Sequence, residues 1–181
     1  MKIVRIGDIT VGAGQPLVLI AGPCVIESEA VVLKTMDRVQ EITARLEMPF
    51  IFTSSYTKAN RSSIDYYTGP GLAEGLRILQ KVRGYGIPVL SDVHAVTEVD
   101  DAAEVLDVLQ LPAHLSMQTD LTVALARVGK PLNIKKGQFL APGDMQAVVR
   151  KIESAGNENI LLTERGSCFG YYDLVADMRS L

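Results

Sequence analysis

Short apolar runs alternate with longer stretches in which apolar residues return every three or four positions. The runs are Leu17-Val18-Leu19-Ile20-Ala21, Phe50-Ile51-Phe52, Ile87-Pro88-Val89-Leu90, Val105-Leu106-Asp107-Val108-Leu109, Leu132-Asn133-Ile134 and Ile160-Leu161-Leu162. Each has the length of a buried strand, and they recur at about the thirty-residue interval of a βα unit. The pattern predicts six parallel strands. Between them, Ser28 is placed to cap a helix carrying Val32, Met36, Val39, Ile42 and Leu46 on one face. Leu72, Leu76, Leu79 and Val82 mark a helix ending at Gly84, and Thr119 is placed to cap one carrying Leu121, Leu125 and Val128 before Gly129. A last helix is expected from Asp144 to Ala155, stopping at Gly156. Ahead of the first run, Lys2 to Ile6 and Asp8 to Val11 read as a hairpin around Gly7. No linker or low-complexity tract interrupts the chain, so residues 1–181 are read as a single α/β domain.

Six βα units fit an open doubly wound sheet or most of a (β/α)8 barrel, and strand number does not separate the two. In either architecture reactive groups gather beyond the carboxyl ends of the strands. There the chain places Gly22-Pro23-Cys24, Lys58-Ala59-Asn60-Arg61-Ser62-Ser63, Asp92-Val93-His94, Gln110-Leu111-Pro112-Ala113, Lys135-Lys136-Gly137-Gln138 and Glu164-Arg165-Gly166. All are expected on one rim.

Composition narrows the classes. With 48% hydrophobic and 22% charged residues the chain has ample material for a core, and disorder is excluded. Its 18 basic and 21 acidic residues give a formal charge of -3, so no global bias points to nucleic acid or an anionic membrane. Cys24 and Cys168 lie far apart and in no zinc-module spacing, which favours a reducing, cytoplasmic compartment over a disulfide framework. Neither a signal peptide nor a membrane span is expected, because Gly22-Pro23 breaks the most apolar stretch.

Lys58, Arg61, Lys135, Lys136 and Arg165 put five cations at strand ends of a slightly acidic chain. Singly each reads as solvated surface charge; together they point to a pocket for phosphate or carboxylate groups. Asp92 and His94 suit acid, base or ligand roles, or a structural hydrogen bond. Cys24 reads as a metal-ligating or nucleophilic thiolate, or as a small buried hydrophobe. Cys168 and His114 are read as structural. No Walker A loop, H-E-x-x-H pair or Gly-x-Ser-x-Gly elbow occurs.

Motif by motif, the chain resembles the 3-deoxy-D-manno-octulosonate 8-phosphate synthase family along its whole length. The resemblance is carried by Lys58 to Ser63, Gly69-Pro70-Gly71-Leu72, Ser91-Asp92-Val93-His94, Leu111-Pro112-Ala113, Gln118-Thr119-Asp120-Leu121, Asn133 to Phe139 and Arg165-Gly166-Ser167-Cys168-Phe169-Gly170-Tyr171. It implies a homotetrameric (β/α)8 TIM barrel, of which about six units are present. The implied reaction condenses phosphoenolpyruvate with arabinose 5-phosphate and releases phosphate, on the route to lipopolysaccharide. The related 3-deoxy-heptulosonate 7-phosphate synthases share barrel and phosphoenolpyruvate, but the Lys-Ala-Asn-Arg-Ser-Ser run resembles the octulosonate enzyme more closely.

The resemblance implies candidate catalytic residues Lys58, Lys135 and Asp92. Lys58 would meet the phosphoenolpyruvate carboxylate, and Lys135, Arg165 and the Ala113 backbone its phosphate. Asn60, Arg61 and Ser62 would meet the pentose phosphate, with Gln110 and Gln138 as further substrate-binding candidates. Cys24 matches the ligand of the metal-dependent branch, which implies a divalent metal. Against the family pattern, Thr53, Thr68 and Met117 replace a lysine and two arginines. The family pattern continues beyond Leu181 into two more βα units bearing a His, a Glu and an Asp as further metal ligands. The expectation is therefore an incomplete barrel, and an inert fragment that keeps phosphoenolpyruvate or sugar-phosphate binding is the second reading.

Overall fold

The structure, a computed structural model, describes residues 2–168 and 172–181; Phe169, Gly170 and Tyr171 of the last motif lie outside the described residues. A hairpin of β1 (Val4–Ile6) and β2 (Ile9–Val11) opens the chain, with Val4 opposite Val11. The parallel strands are β3 (Leu19–Ala21), β4 (Phe50–Thr53), β5 (Val89–Asp92), β6 (Val108–Leu111), β7 (Leu132–Lys135) and β8 (Ile160–Thr163). Between them run α1 (Glu29–Arg45), α2 (Leu72–Gly84), α3 (Val99–Val105), α4 (Thr119–Arg127) and α5 (Met145–Ser154).

The strands pair in chain order from β3 to β8. A doubly wound sheet reverses direction at a switch point and so sets non-consecutive strands side by side. Consecutive order is the barrel winding, which the periodicity left open and the motif resemblance implied. Among the described residues β3 and β8 are unpaired with each other, so the six strands form part of a barrel wall.

Alternation along each strand divides the apolar residues into two sets. Phe50, Phe52, Val89, Leu109, Leu111, Leu132 and Ile134 pack with the helices in the larger core. Ile51, Leu90 and Val108 point the other way and pack with Val4 and Ile6 of the hairpin, joined by Val18 and Leu161. The hairpin thus plugs the inner face near the amino ends of the strands. Two residues further along, that face becomes polar: Asp92 is in register with Gln110, and Gln110 with Asn133.

Several boundaries depart from the sequence pattern. The Val105–Leu109 run divides, Val105 closing α3 and Val108 opening β6. Helix α3 was not anticipated, because with only Val99 and Ala102 buried it is too short to show a period. On α1, Ser28 caps as expected, its Oγ accepting from the Val31 N–H at 3.3 Å. Its inner face is Val32, Met36 and Thr43, while Ile42 and Leu46 are exposed. Thr43 buries its hydroxyl by donating to the Val39 and Gln40 carbonyls. Thr119 lies inside α4, whose cap is Gln118.

Gly22 shows where the rim leaves no room for a side chain. A Cβ there would sit 1.9 Å from the Thr53 carbonyl oxygen, so the chain leaving β3 runs directly against the end of β4. No helix among the described residues is long and apolar enough to cross a membrane.

Candidate functional site

At the carboxyl ends of the strands lies a cavity of about 260 Å³. Lys58, Arg61, Lys135 and Arg165 line it from the ends of β4, β7 and β8 and the segments that follow. Cys24, Asn60, Ala113 and Gln138 also line it, and Asp92 is the carboxylate among the lining residues. Four cations against one carboxylate make the cavity strongly cationic within a chain of net charge -3. A larger opening of about 500 Å³ runs along the free edge of β8, where Ile160, Leu162 and Val149 meet Glu153, Glu158 and Glu164. Its two cations, Lys2 and Lys136, are paired with those carboxylates, so the excess of positive charge lies in the smaller cavity.

Asp92 organises that cavity. Its side chain is 5% exposed, and both oxygens are engaged. Oδ1 accepts from Gln110 Nε2 at 2.6 Å and Lys135 Nζ at 3.1 Å, while Oδ2 accepts from Ser55 Oγ at 3.0 Å and Lys58 Nζ at 3.3 Å. Burial works to raise its pKa, but the fields of Lys135 and Lys58 outweigh burial and hold the carboxyl below its ordinary range. The two lysines come from β7 and from the loop after β4, so one carboxylate fixes ammonium groups far apart in sequence.

His94 lines the same cavity. Burial pushes its pKa below the ordinary value, against the opposing pull of Asp92 and Glu98. Its Nδ1 is buried without a hydrogen bond among the described residues, 4.0 Å from Glu98 Oε2, and the Glu98 carboxylate accepts instead from Tyr56 and from the His94 backbone N–H. A neutral imidazole at this rim is available to give or take a proton.

The remaining predicted residues separate into groups. Asn60, Arg61 and Gln138 line the cavity, and Arg61 Nε donates to the Tyr67 carbonyl at 3.3 Å. Ala113 lies at its wall in the short turn after β6. Ser62 is exposed and outside the lining, and Gln110 is buried with its amide engaged at both ends. Lys136, grouped by sequence with the anion-binding cations, points away from the cavity and is 3% exposed. Its Nζ donates to the carbonyls of Gly166 at 2.9 Å, Leu140 at 3.2 Å and Gly137 at 3.3 Å, and to Ser167 Oγ at 3.2 Å. Glu164 Oε1 lies 3.4 Å away. Consecutive strand residues face opposite sides, so Lys135 and Lys136 cannot both enter one cavity.

Sequence reasoning passed over Ser55, Asn133 and Thr163, which join the buried polar belt around Asp92. The available signal was Asn133, an amide at the centre of the apolar run Leu132-Asn133-Ile134. Cys24 is exposed at the cavity. Among the described residues no three His, Cys, Asp or Glu side chains gather to hold a metal ion, and a lone thiolate falls short of the three or four protein ligands such a site requires. On their own, the described donors do not make up a metal centre.

A family model described as the DAHP synthetase I family matches residues 1–181. A protein of Trichlorobacter lovleyi named 2-dehydro-3-deoxyphosphooctonate aldolase is 60% identical over 180 residues, covering 99% of this chain and 66% of its own. Proteins of the same name from Geotalea daltonii and Geobacter metallireducens are 56% identical over 181 residues and 57% over 179, covering 99% and 98% of this chain and 66% of each relative. The chain thus spans about 66% of the length of the curated relatives it matches.

Proposed function

We propose, from the premise that this chain belongs to the DAHP synthetase I family, that its rim cavity binds phosphoenolpyruvate beside a pentose phosphate. There it serves their condensation to 3-deoxy-D-manno-octulosonate 8-phosphate. The names of its relatives support the substrate pair. The observation that carries the reading is the convergence of Lys58, Arg61, Lys135 and Arg165 on one small cavity with Asp92 at its base. Two polyanionic substrates repel each other, and only a shared set of cations brings them within reacting distance.

In this reading Lys135 and Arg165, with the Ala113 backbone, take the phosphate of phosphoenolpyruvate, and Lys58 its carboxylate. Asn60 and Arg61, with Ser62 beside them, take the pentose phosphate, because a planar guanidinium matches phosphate oxygens in pairs. Gln138 supplies a neutral donor between the two. The C3 carbon of phosphoenolpyruvate then attacks the aldehyde of the sugar, and the carbonyl oxygen takes up a proton to become a hydroxyl. Water adds at C2, and phosphate leaves with its bridging oxygen. Cations already in place stabilise the charge that shifts toward the departing phosphate. In the same reading the assembled protein is a cytoplasmic homotetramer.

A second reading, binding without turnover, is favoured by Thr53 and Met117, which stand where the resembled family carries cations. Calorimetric titration with phosphoenolpyruvate tests what both share. Lys135→Ala and Arg165→Ala each remove a charge-assisted hydrogen bond and are expected to weaken binding roughly 10- to 100-fold. Unchanged affinity in both variants refutes the assignment. Phosphate release that depends on arabinose 5-phosphate separates the two readings.

A further inference from the structure

Four side chains on four successive strands form one line of hydrogen bonds across the inner face. Thr163 Oγ1 donates to Asn133 Oδ1 at 2.8 Å, Asn133 Nδ2 to Gln110 Oε1 at 2.6 Å, and Gln110 Nε2 to Asp92 Oδ1 at 2.6 Å. The direction of the line is set from one end. An ionised carboxylate accepts and does not donate, so Gln110 must turn its NH2 group toward Asp92. Its carbonyl then faces Asn133, which must present its own NH2 group, and the Asn133 carbonyl in turn requires the Thr163 hydroxyl. Gln110 and Asn133 are 5% and 3% exposed, which leaves little access for water to replace a missing partner. Neither amide lines the cavity.

We propose that Thr163, Asn133 and Gln110 are positioning residues, a one-way relay that fixes the Asp92 carboxylate and through it the resting places of the Lys58 and Lys135 ammonium groups. The identity of the anion those lysines receive rests on the reading above. Gln110 and Lys135 share Oδ1, whereas Ser55 and Lys58 share Oδ2, so rotation of the carboxylate displaces both lysines together. If the Gln110 amide turned over, a carbonyl would face the carboxylate and repel it. Asn133 prevents that turn, and Thr163 holds Asn133. A half-buried threonine on β8 thereby governs lysines on β7 and in the loop after β4, without touching either anion.

The test uses Thr163→Val, which keeps the shape and removes the donor, and Thr163→Ser, which restores it. The titration of the Asp92 carboxyl is followed by carbon-13 NMR on the ligand-free chain, with the surrounding Lys58, Lys135, His94 and Tyr56 unchanged in every variant. Thr163→Val is expected to move the midpoint to higher pH and to weaken phosphoenolpyruvate binding roughly threefold to tenfold, and Thr163→Ser to return both to the parent values. Asn133→Leu breaks the line nearer Asp92 and is expected to give the larger midpoint shift. A folded Thr163→Val chain with the parent midpoint overturns the relay, whatever the ligand. A shifted midpoint in a chain whose parent does not bind phosphoenolpyruvate supports the relay and refutes the ligand assignment, so the two fail separately.

Discussion

Replacing Lys136 with methionine is expected to be among the most damaging single changes at the rim, although Lys136 does not face the cavity. Methionine keeps most of the stem volume, so the perturbation isolates the ammonium group. That group donates to the carbonyls of Gly137, Leu140 and Gly166 and to Ser167 Oγ, with Glu164 at 3.4 Å, and the lysine side chain is 4% exposed. Substitution leaves inward-turned carbonyls without a donor and a carboxylate 12% exposed without its counter-ion. Breaking a buried pair by removing one partner costs about 3–5 kcal/mol. Glu164 keeps its acceptance from the Gly166 N–H at 2.6 Å, which favours the lower half of that range. For a chain of this size a loss in that lower half corresponds to a fall of roughly 6–16 °C in Tm. Circular dichroism melts and urea titrations of the parent and Lys136→Met measure it. Arg165 lies between Glu164 and Gly166, so phosphoenolpyruvate affinity is expected to fall as well. A folded Lys136→Met chain within about 1 kcal/mol of the parent, the worth of an ordinary single hydrogen bond, would refute the view of Lys136 as a clasp between the loops after β7 and β8.

Asp92→Asn removes a carboxyl held below its ordinary range, a group whose stabilisation is complete above the unfolded value near 3.8 and is lost as pH falls through the folded one. The parent should therefore lose stability steeply in acid below about pH 4, and the variant, less stable by about 1–3 kcal/mol at neutral pH, should lose it less steeply; equal acid slopes would count against the Asp92 pairings. Gly22→Ala forces a methyl to within 1.9 Å of the Thr53 carbonyl oxygen and is expected to cost at least the roughly 1–3 kcal/mol of ordinary overpacking; an unchanged melt would show that the junction between β3 and β4 yields. Elemental analysis of the purified chain is expected to find less than stoichiometric divalent metal, since no three potential ligands gather among the described residues. A full equivalent of iron, zinc or manganese lost on Cys24→Asn would show otherwise.

The wall of the barrel was legible because strands buried on both faces leave apolar runs at regular intervals, and the rim because reactive residues follow those runs. Winding was not legible in the periodicity, whose runs fit two architectures; the motif resemblance alone implied the barrel, and the pairing of β3 through β8 in chain order bears it out. Lys135 and Lys136 show the limit at the site. Both follow Asn133-Ile134, and alternation says that they diverge, but the inward-facing one is known only when Asn133 is seen beside Gln110. Ile42 and Leu46 were assigned to the buried face of α1 from hydrophobicity alone, whereas the helix turns Thr43 inward because its hydroxyl is satisfied by its own backbone. Asn133 opens a quoted motif, but neither it nor Ser55 or Thr163 was given a role at the site, because their part in it arises from register.

The hairpin that plugs the inner face has a consequence for the order in which the molecule assembles. Val4 and Ile6 are made before the residues they pack against and can form their local turn at once. Their seat consists of Ile51, Leu90 and Val108, with Leu161 at its margin, and so is completed only once Leu161 has been made. These contacts are among the most distant in sequence that the fold contains, and distant contacts form late because loop closure precedes any gain from burial. The hairpin is therefore made before its seat and docks only after the seat has formed, and the sheet must hold its curvature before its plug arrives.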